Sequence, residues 1–215
     1  MLYPSQIELL NTVEVKRKFF HILSASFLIP YYYLDYKQYY TALICLTIII
    51  CIADIMRSFN MRFQTLCNKF FVHVLRETEK KQFFSGTSYM AIGFLCTYII
   101  TKNTSLYTAA CFVLIFADSF AGLVGYFANS RKKLIHSIGF LFVALIVSLI
   151  VNIFHLHTDN QILGAYSTIS NIIIACLITT FIEHVSRYLK INDNMSIPIS
   201  FAICIKLLNY LNLNM

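Results

Sequence analysis

Apolar residues along this chain come in long blocks parted by short polar stretches. The blocks show neither the alternation of a strand nor the one-sided stripe of a soluble helix, so each predicts a helix apolar all round. They run Phe19–Leu34, Tyr40–Met56, Phe84–Thr101, Leu106–Ala128, His136–His155, Tyr166–Ser186 and Ser196–Leu213. Several fall short of the roughly 20 residues that cross a bilayer. The third is interrupted early by Ser85-Gly86-Thr87-Ser88, and the longest polar segment is Arg57–Phe83. Met1–Val15 reads as a mildly amphipathic interfacial lead-in. The pattern predicts an all-α, polytopic membrane bundle of about seven spans, a single domain over residues 1–215 with no internal repeat.

Composition strengthens this reading. Hydrophobic residues make up 58% of the chain and charged residues 13%, against about 25% charged in a soluble domain. The net charge of +7 therefore does not point to nucleic acid, because the basic residues sit between apolar blocks. Counted by segment, Lys and Arg alternate 3, 1, 6, 1, 3, 0, 2, with Lys206 left inside the last block. The positive-inside rule then predicts a cytoplasmic N-terminus. Tyr31–Tyr33, with Tyr36, Tyr39 and Tyr40, reads as a headgroup-level belt on the outer side. The first block follows Lys16–Lys18 like a signal peptide but ends without a small-x-small cleavage site, so it is expected to be retained. The seven cysteines show no metal-ligand spacing or disulfide framework.

Acidic residues change the picture from scaffold to site. Only Asp35 and Asp159 fall on the predicted outer side. Asp54, Asp118 and Glu183 lie inside apolar blocks, where an ionisable group is costly and points to function. Asp118 is central, in Cys111–Tyr126, beside Ser119, Ala121, Gly122 and Gly125. Ala117, Ala121 and Gly125 also form a small-xxx-small spacing, which reads as helix packing. Glu14, Arg17, Lys18 and His21 share one helical face, a basic topology signal or a grip for phosphate. Asp54 and Arg57, one turn apart, read as a helix-end pair. Charges from Arg76 to Lys81 lead into Ser85-Gly86-Thr87-Ser88, a helix start that offers N–H groups to an anion. Arg131-Lys132-Lys133 and His136-Ser137 follow the Asp118 block. Glu183-His184 and Asn192-Asp193-Asn194 close the series. Asp118, Glu183 and Asp193 supply hard oxygen ligands of the kind Mg²⁺ takes together with substrate phosphates.

In order, the fragments are E-x-K-R-K-x-x-H (Glu14–His21), D-x-x-R (Asp54–Arg57), L-R-E-x-E (Leu75–Glu79), F-S-G-T-S-Y (Phe84–Tyr89), A-D-S-F-A-G-L-V-G (Ala117–Gly125) and D-N-x-x-I-P (Asp193–Pro198). Together they resemble the dolichol kinase/phytol kinase family, which includes CTP-dependent diacylglycerol kinases and is related in signature to phosphatidate cytidylyltransferases. The resemblance implies a multi-span enzyme that phosphorylates a lipid alcohol at the cytoplasmic membrane face, with CTP as donor and Mg²⁺ as cofactor. It implies Asp118, Glu183 and Asp193 as catalytic residues, with Asp118 and Asp193 on the metal. For the nucleotide and its phosphates it implies Arg17, Lys18, His21, Arg76, Ser85, Gly86, Gly122, Gly125, Lys132, Lys133, His136 and Asn194. The chain departs from the family's K-S/T-x-E-G-S-like segment, reading Lys133-Leu-Ile-His136-Ser137-Ile138-Gly139-Phe140. A cytidylyltransferase that attacks the α-phosphate of CTP is the near alternative. An ion-coupled transporter would also place acids in spans, but it is expected to show repeats or paired broken helices. The expected membrane is a bacterial inner membrane or an endoplasmic reticulum.

Overall fold

The computed structural model describes residues 15–16, 18–70, 83–102, 105–127, 133–157, 167–189 and 191–213. All regular structure among them is helical. Residues 18–23 form α1, which tightens into a 3-10 segment, Ser24–Tyr32, containing Pro30. There follow α2 (Tyr36–Phe59), α3 (Met61–Phe70), α4 (Gly86–Thr101) and α5 (Ser105–Phe112). A π-helical stretch, Val113–Asp118, joins α5 to α6 (Ser119–Phe127). Then come α7 (Lys133–His157), α8 (Ile169–Leu189) and α9 (Asp193–Leu213).

Five helical rods are long and apolar enough to cross a membrane: Tyr36–Phe59, Ser105–Gly125, Leu134–Phe154, Ile169–Ser186 and Asp193–Leu211. α4, with 16 residues, is shorter. The first apolar block is an α-helix only at its start. Six α residues at 1.5 Å and nine 3-10 residues at 2.0 Å give it a length of roughly 27 Å. The 3-10 conformation thus makes the segment longer than an α-helix of the same residues would be.

Two other local readings change. Ser85–Ser88 does not interrupt a helix; Ser85 is the extended N-cap residue of α4. Within the polar segment after α2, the short amphipathic α3 is ordered. At the start of α2, Asp35 closes a capping box in which Gln38 Oε1 accepts the Asp35 N–H at 3.3 Å.

The core centres on the α5–π–α6 rod, with Tyr107, Ala109, Ala110, Leu114, Ile115, Ala117 and Ala121 fully enclosed. α7 packs along this rod, α8 along α7, and α9 along both α8 and α4. Ala121 of the small-residue spacing packs in ordinary contact against Gly139 of α7. Ala121 Cα lies 3.7 Å from where a Cβ on Gly139 would stand. Across α4 and α9 the approach is closer still. A Cβ on Gly93 would meet the Asn194 carbonyl oxygen at 2.7 Å. Pro198 has no N–H for that carbonyl, four residues before it.

The tyrosines are not simply a belt. Tyr39, Tyr98 and Tyr107 are buried and form, with the half-buried Tyr31, a cluster of edge-to-face and tilted rings. The Tyr39 and Tyr107 hydroxyls share a hydrogen bond of 2.9 Å. Tyr32, Tyr33 and Tyr36 remain exposed. At this same end Asn152, Ser167, Asn171 and Asn209 tie α7, α8 and α9 together. Lys206 reaches past its own helix to donate to the Ile100 carbonyl in the last turn of α4 at 2.8 Å.

Candidate functional site

The antiparallel course of the rods gathers the charged groups at the opposite end from the tyrosine cluster. There the C-terminal ends of α2, α6 and α8 meet α1 and the N-terminal ends of α4, α7 and α9. Three polar groups result.

The first is built on Asp118, the last residue of the π stretch. A π turn carries an extra residue, which re-phases α6 against α5 by about 100°. Lys18 comes across from α1, and its Nζ lies 2.5 Å from Asp118 Oδ2 and 3.0 Å from the Asp118 carbonyl oxygen. His21 Nε2 faces the same carboxylate oxygen at 3.8 Å. Ser119 Oγ donates to the Lys18 carbonyl at 3.5 Å. Lys18 and Asp118 are only 6% and 5% exposed, so their charges meet where solvent screens little. The lysine stem runs over Gly122, in the space a Cβ there would fill. Gly122 therefore serves close approach, but to a lysine of this chain.

The second group lies one turn further along α6. His136 of α7 sits beside Gly125, with Cδ2 3.7 Å from where a Cβ would stand. His136 Nδ1 faces Glu183 Oε1 at 3.5 Å. Glu183 is completely buried. The next residue of each helix repeats the link, Ser137 Oγ lying 3.1 Å from His184 Nδ1. On the buried faces of α8 and α9, Thr179 Oγ1 and Ser196 Oγ have no hydrogen-bond partner among the described residues. The sequence reading missed both hydroxyls. Thr179, one turn before Glu183 on the same face, was the available signal.

The third group joins three sequence fragments into one joint. Asp54 Oδ1 accepts from Arg57 Nε at 3.0 Å, and Asp54 Oδ2 accepts from the Ser85 N–H and the Ser88 hydroxyl at 2.6 Å each. The start of α4 thus already faces an anion, the carboxylate of Asp54. Asn194 Nδ2 donates to the Gly86 carbonyl at 2.9 Å, and its own N–H is capped by Asp193 Oδ1 at 3.0 Å and Asn192 Oδ1 at 3.1 Å. Ser85, Gly86, Asp193 and Asn194 therefore all have local structural work.

Of the other sequence candidates, Arg17, Arg76 and Lys132 lie outside the described residues, as does the Lys133 side chain at the start of α7. Among the described residues no three His, Cys, Asp or Glu side chains converge as a metal cage. The donor set at Asp118 is one carboxylate faced by two nitrogen groups. That set fits an Mg²⁺ carried in on a polyphosphate, which needs only one or two protein carboxylates.

Comparison with known proteins adds kinship without a stated activity. No family model matches the chain, and no solved structure matches it. It is 26% identical to the "Uncharacterized protein MJ1137" of Methanocaldococcus jannaschii over 147 residues, 65% of this chain and 70% of that protein. It is 32% identical to the "Uncharacterized protein RP860" of Rickettsia prowazekii over 206 residues, 92% of this chain and 96% of that protein. At that identity over nearly the full length of both, this chain belongs to the same family as the Rickettsia prowazekii protein.

Proposed function

We propose that this membrane protein is a CTP-dependent kinase of a lipid alcohol, working at the end of the bundle that carries Asp118. The observation that carries the reading is the buried Lys18–Asp118 pair, flanked by His21 and laid over Gly122. A lysine and a histidine converge on one carboxylate at the end where Glu183 and His136 also lie. That is the inventory phosphoryl transfer needs: charge neutralisation, a metal-competent carboxylate and a proton acceptor. The resemblance of the ordered fragments to lipid-alcohol kinases supplies the substrate class.

In this reading Lys18 and His21 exchange Asp118 for the triphosphate of CTP, with Arg17, Lys132 and Lys133 adding positive charge. Asp118, released, is the carboxylate that would hold Mg²⁺, and that ion supplies charge stabilisation on the phosphoryl oxygens when bound. The acceptor hydroxyl oxygen forms a bond to the γ-phosphorus as the bond from that phosphorus to the β-bridging oxygen breaks. CDP leaves with that oxygen. Glu183 faces Nδ1 of His136 and so orients an imidazole whose Nε2 is turned away from it. His136 takes the hydroxyl proton there, an arrangement of base and orienting carboxylate familiar from hydrolytic triads. We also infer seven crossings, counting α4 and the stretched first segment, with the N-terminus and the Asp118 end in the cytoplasm, where CTP is available.

The test is Asp118→Asn in purified protein supplied with Mg²⁺, CTP and diacylglycerol, a prenol or phytol. Turnover per folded molecule, counted by gel filtration, is expected to fall about 10³-fold, equivalent to about 4 kcal/mol of lost charge stabilisation. Near-normal turnover in the folded fraction would overturn the role of Asp118. Release of pyrophosphate with a CDP-lipid, in place of CDP with a lipid phosphate, would replace the kinase reading with cytidyl transfer.

A further inference from the structure

Beside the Asp118 rod, away from all three polar groups, lies a cleft of about 520 Å³. It is lined by Tyr32, Phe112, Phe116, Val147, Ile150, Val151 and Phe154. Its volume falls within the range of small-molecule sites. Among the described residues no charged side chain lines it. The hydroxyl that does, on Tyr32, is directed to Thr108 Oγ1 at 3.5 Å. One wall is the outer part of α7, within a rod long and apolar enough to cross a membrane. There Ile150 and Phe154 are exposed. An open groove of this size leaves its apolar walls without packing contacts unless something fills it. In a membrane-spanning rod its mouth opens on hydrocarbon, so the filler is a hydrocarbon chain.

The inner end of the cleft approaches the candidate site along the rod. Phe112 and Phe116 stack edge to face at 5.5 Å and form its inner wall. Phe116 belongs to the same π stretch as Asp118, two residues before it. Asp118 therefore lies about 3 Å further along the rod. From Phe154 to Val147 the α7 wall covers about 10 Å of bilayer depth. We propose that this cleft seats the hydrocarbon tail of the lipid alcohol whose hydroxyl is presented at Asp118. This rests on the kinase reading for the identity of the head, but not for the chemistry of the tail. Recognition is by shape and apolar contact alone, so it selects a flexible chain and leaves the choice of head to the polar end.

The chain contains no tryptophan, which allows a single reporter to be introduced. Phe154→Trp places it on the cleft wall. Phe142→Trp, on the same helix and similarly exposed, places it outside the cleft. Each variant in nanodiscs is titrated with 9,10-dibromo-octadecanol, with diacylglycerol bearing dibromostearoyl chains, and with phosphatidylcholine bearing the same chains. The expected result is saturable quenching of the Phe154→Trp reporter by at least one brominated alcohol. It should exceed several-fold the quenching at Phe142→Trp and that by the phosphatidylcholine. Linear quenching that tracks mole fraction equally at both positions would overturn the seat. So would equal quenching by all three lipids, because the cleft would then hold bulk bilayer lipid. Saturable quenching without phosphorylation of any alcohol would keep the seat and remove the kinase. Phosphorylation without selective quenching would do the reverse.

Discussion

Gly122→Ala tests whether the Lys18–Asp118 pair is the centre of the site. A Cβ at position 122 would fall on the Lys18 stem, with Nζ 3.2 Å away. The far end of a lysine is flexible, so the steric cost alone is small. Here, however, its head is pinned to Asp118. The side chain cannot move aside without loosening a buried ion pair. Overpacking costs about 1–3 kcal/mol, and alanine returns about 1 kcal/mol of helix propensity. Full loss of one buried partner costs about 3–5 kcal/mol. A partial loosening therefore predicts a net destabilisation of about 2 kcal/mol. Gly125→Ala is the internal control, since its Cβ would make only an ordinary contact with His136 at 3.7 Å. It should be neutral or gain about 1 kcal/mol. Thermal unfolding in detergent would show Gly122→Ala below the parent protein and Gly125→Ala at or above it. In a Lys18→Met background the Gly122→Ala penalty should vanish, because the obstructing head is no longer pinned. Equal melting of the two alanine variants, or an undiminished penalty without Lys18, would refute the close approach and with it the assignment of Lys18 as the partner of Asp118.

Other expected outcomes follow from the remaining contacts. Asp54→Ala removes the acceptor of Arg57, Ser85 and Ser88 together and leaves an arginine that is 2% exposed without its carboxylate. A loss of about 3–5 kcal/mol is expected, read as a collapse in the yield of monodisperse protein; a parent-like yield and melting point would contradict it. Gly93→Ala drives a methyl into the backbone of α9 at Asn194. Backbone cannot yield as a lysine tip can, so the loss should reach or exceed about 3 kcal/mol, and a smaller loss than for Gly122→Ala would contradict the α4–α9 joint. Single cysteines on a cysteine-free background should be labelled from outside at position 37 and from inside within residues 57–83; labelling of the latter from outside would reverse the proposed orientation.

Much of the scaffold was legible in the residue pattern, because a bilayer imposes one constraint on every span. Backbone polar groups must be satisfied within the segment, so a long apolar block has few alternatives to a helix. The blocks ending at Thr101, Ser186 and Leu213 accordingly match α4, α8 and α9 to within a few residues. Asp118 stood out for the same reason, since a carboxylate among apolar residues has no cheap explanation. What periodicity could not settle was local geometry set by tertiary contact. The 3-10 stretch of Ser24–Tyr32 and the π turn ending at Asp118 each differ from an α-helix by a small change in hydrogen-bond partner. Only packing against neighbouring rods selects between them.

The partners of the charged groups were likewise a tertiary decision. Glu14, Arg17, Lys18 and His21 look equivalent on a helical wheel. The approach of α1 to the bare backbone at Gly122 is what brings Lys18 and His21 to Asp118. Ser85 and Gly86 read as an open anion site, yet the start of α4 is met by Asp54 from α2 and by Asn194 from α9. Local sequence marks which groups are too polar to be left unpaired in a membrane. Which one each group meets depends on inter-helix distances of a few ångströms, and those are set by small residues such as Gly93 and Gly122 acting between segments far apart in the chain.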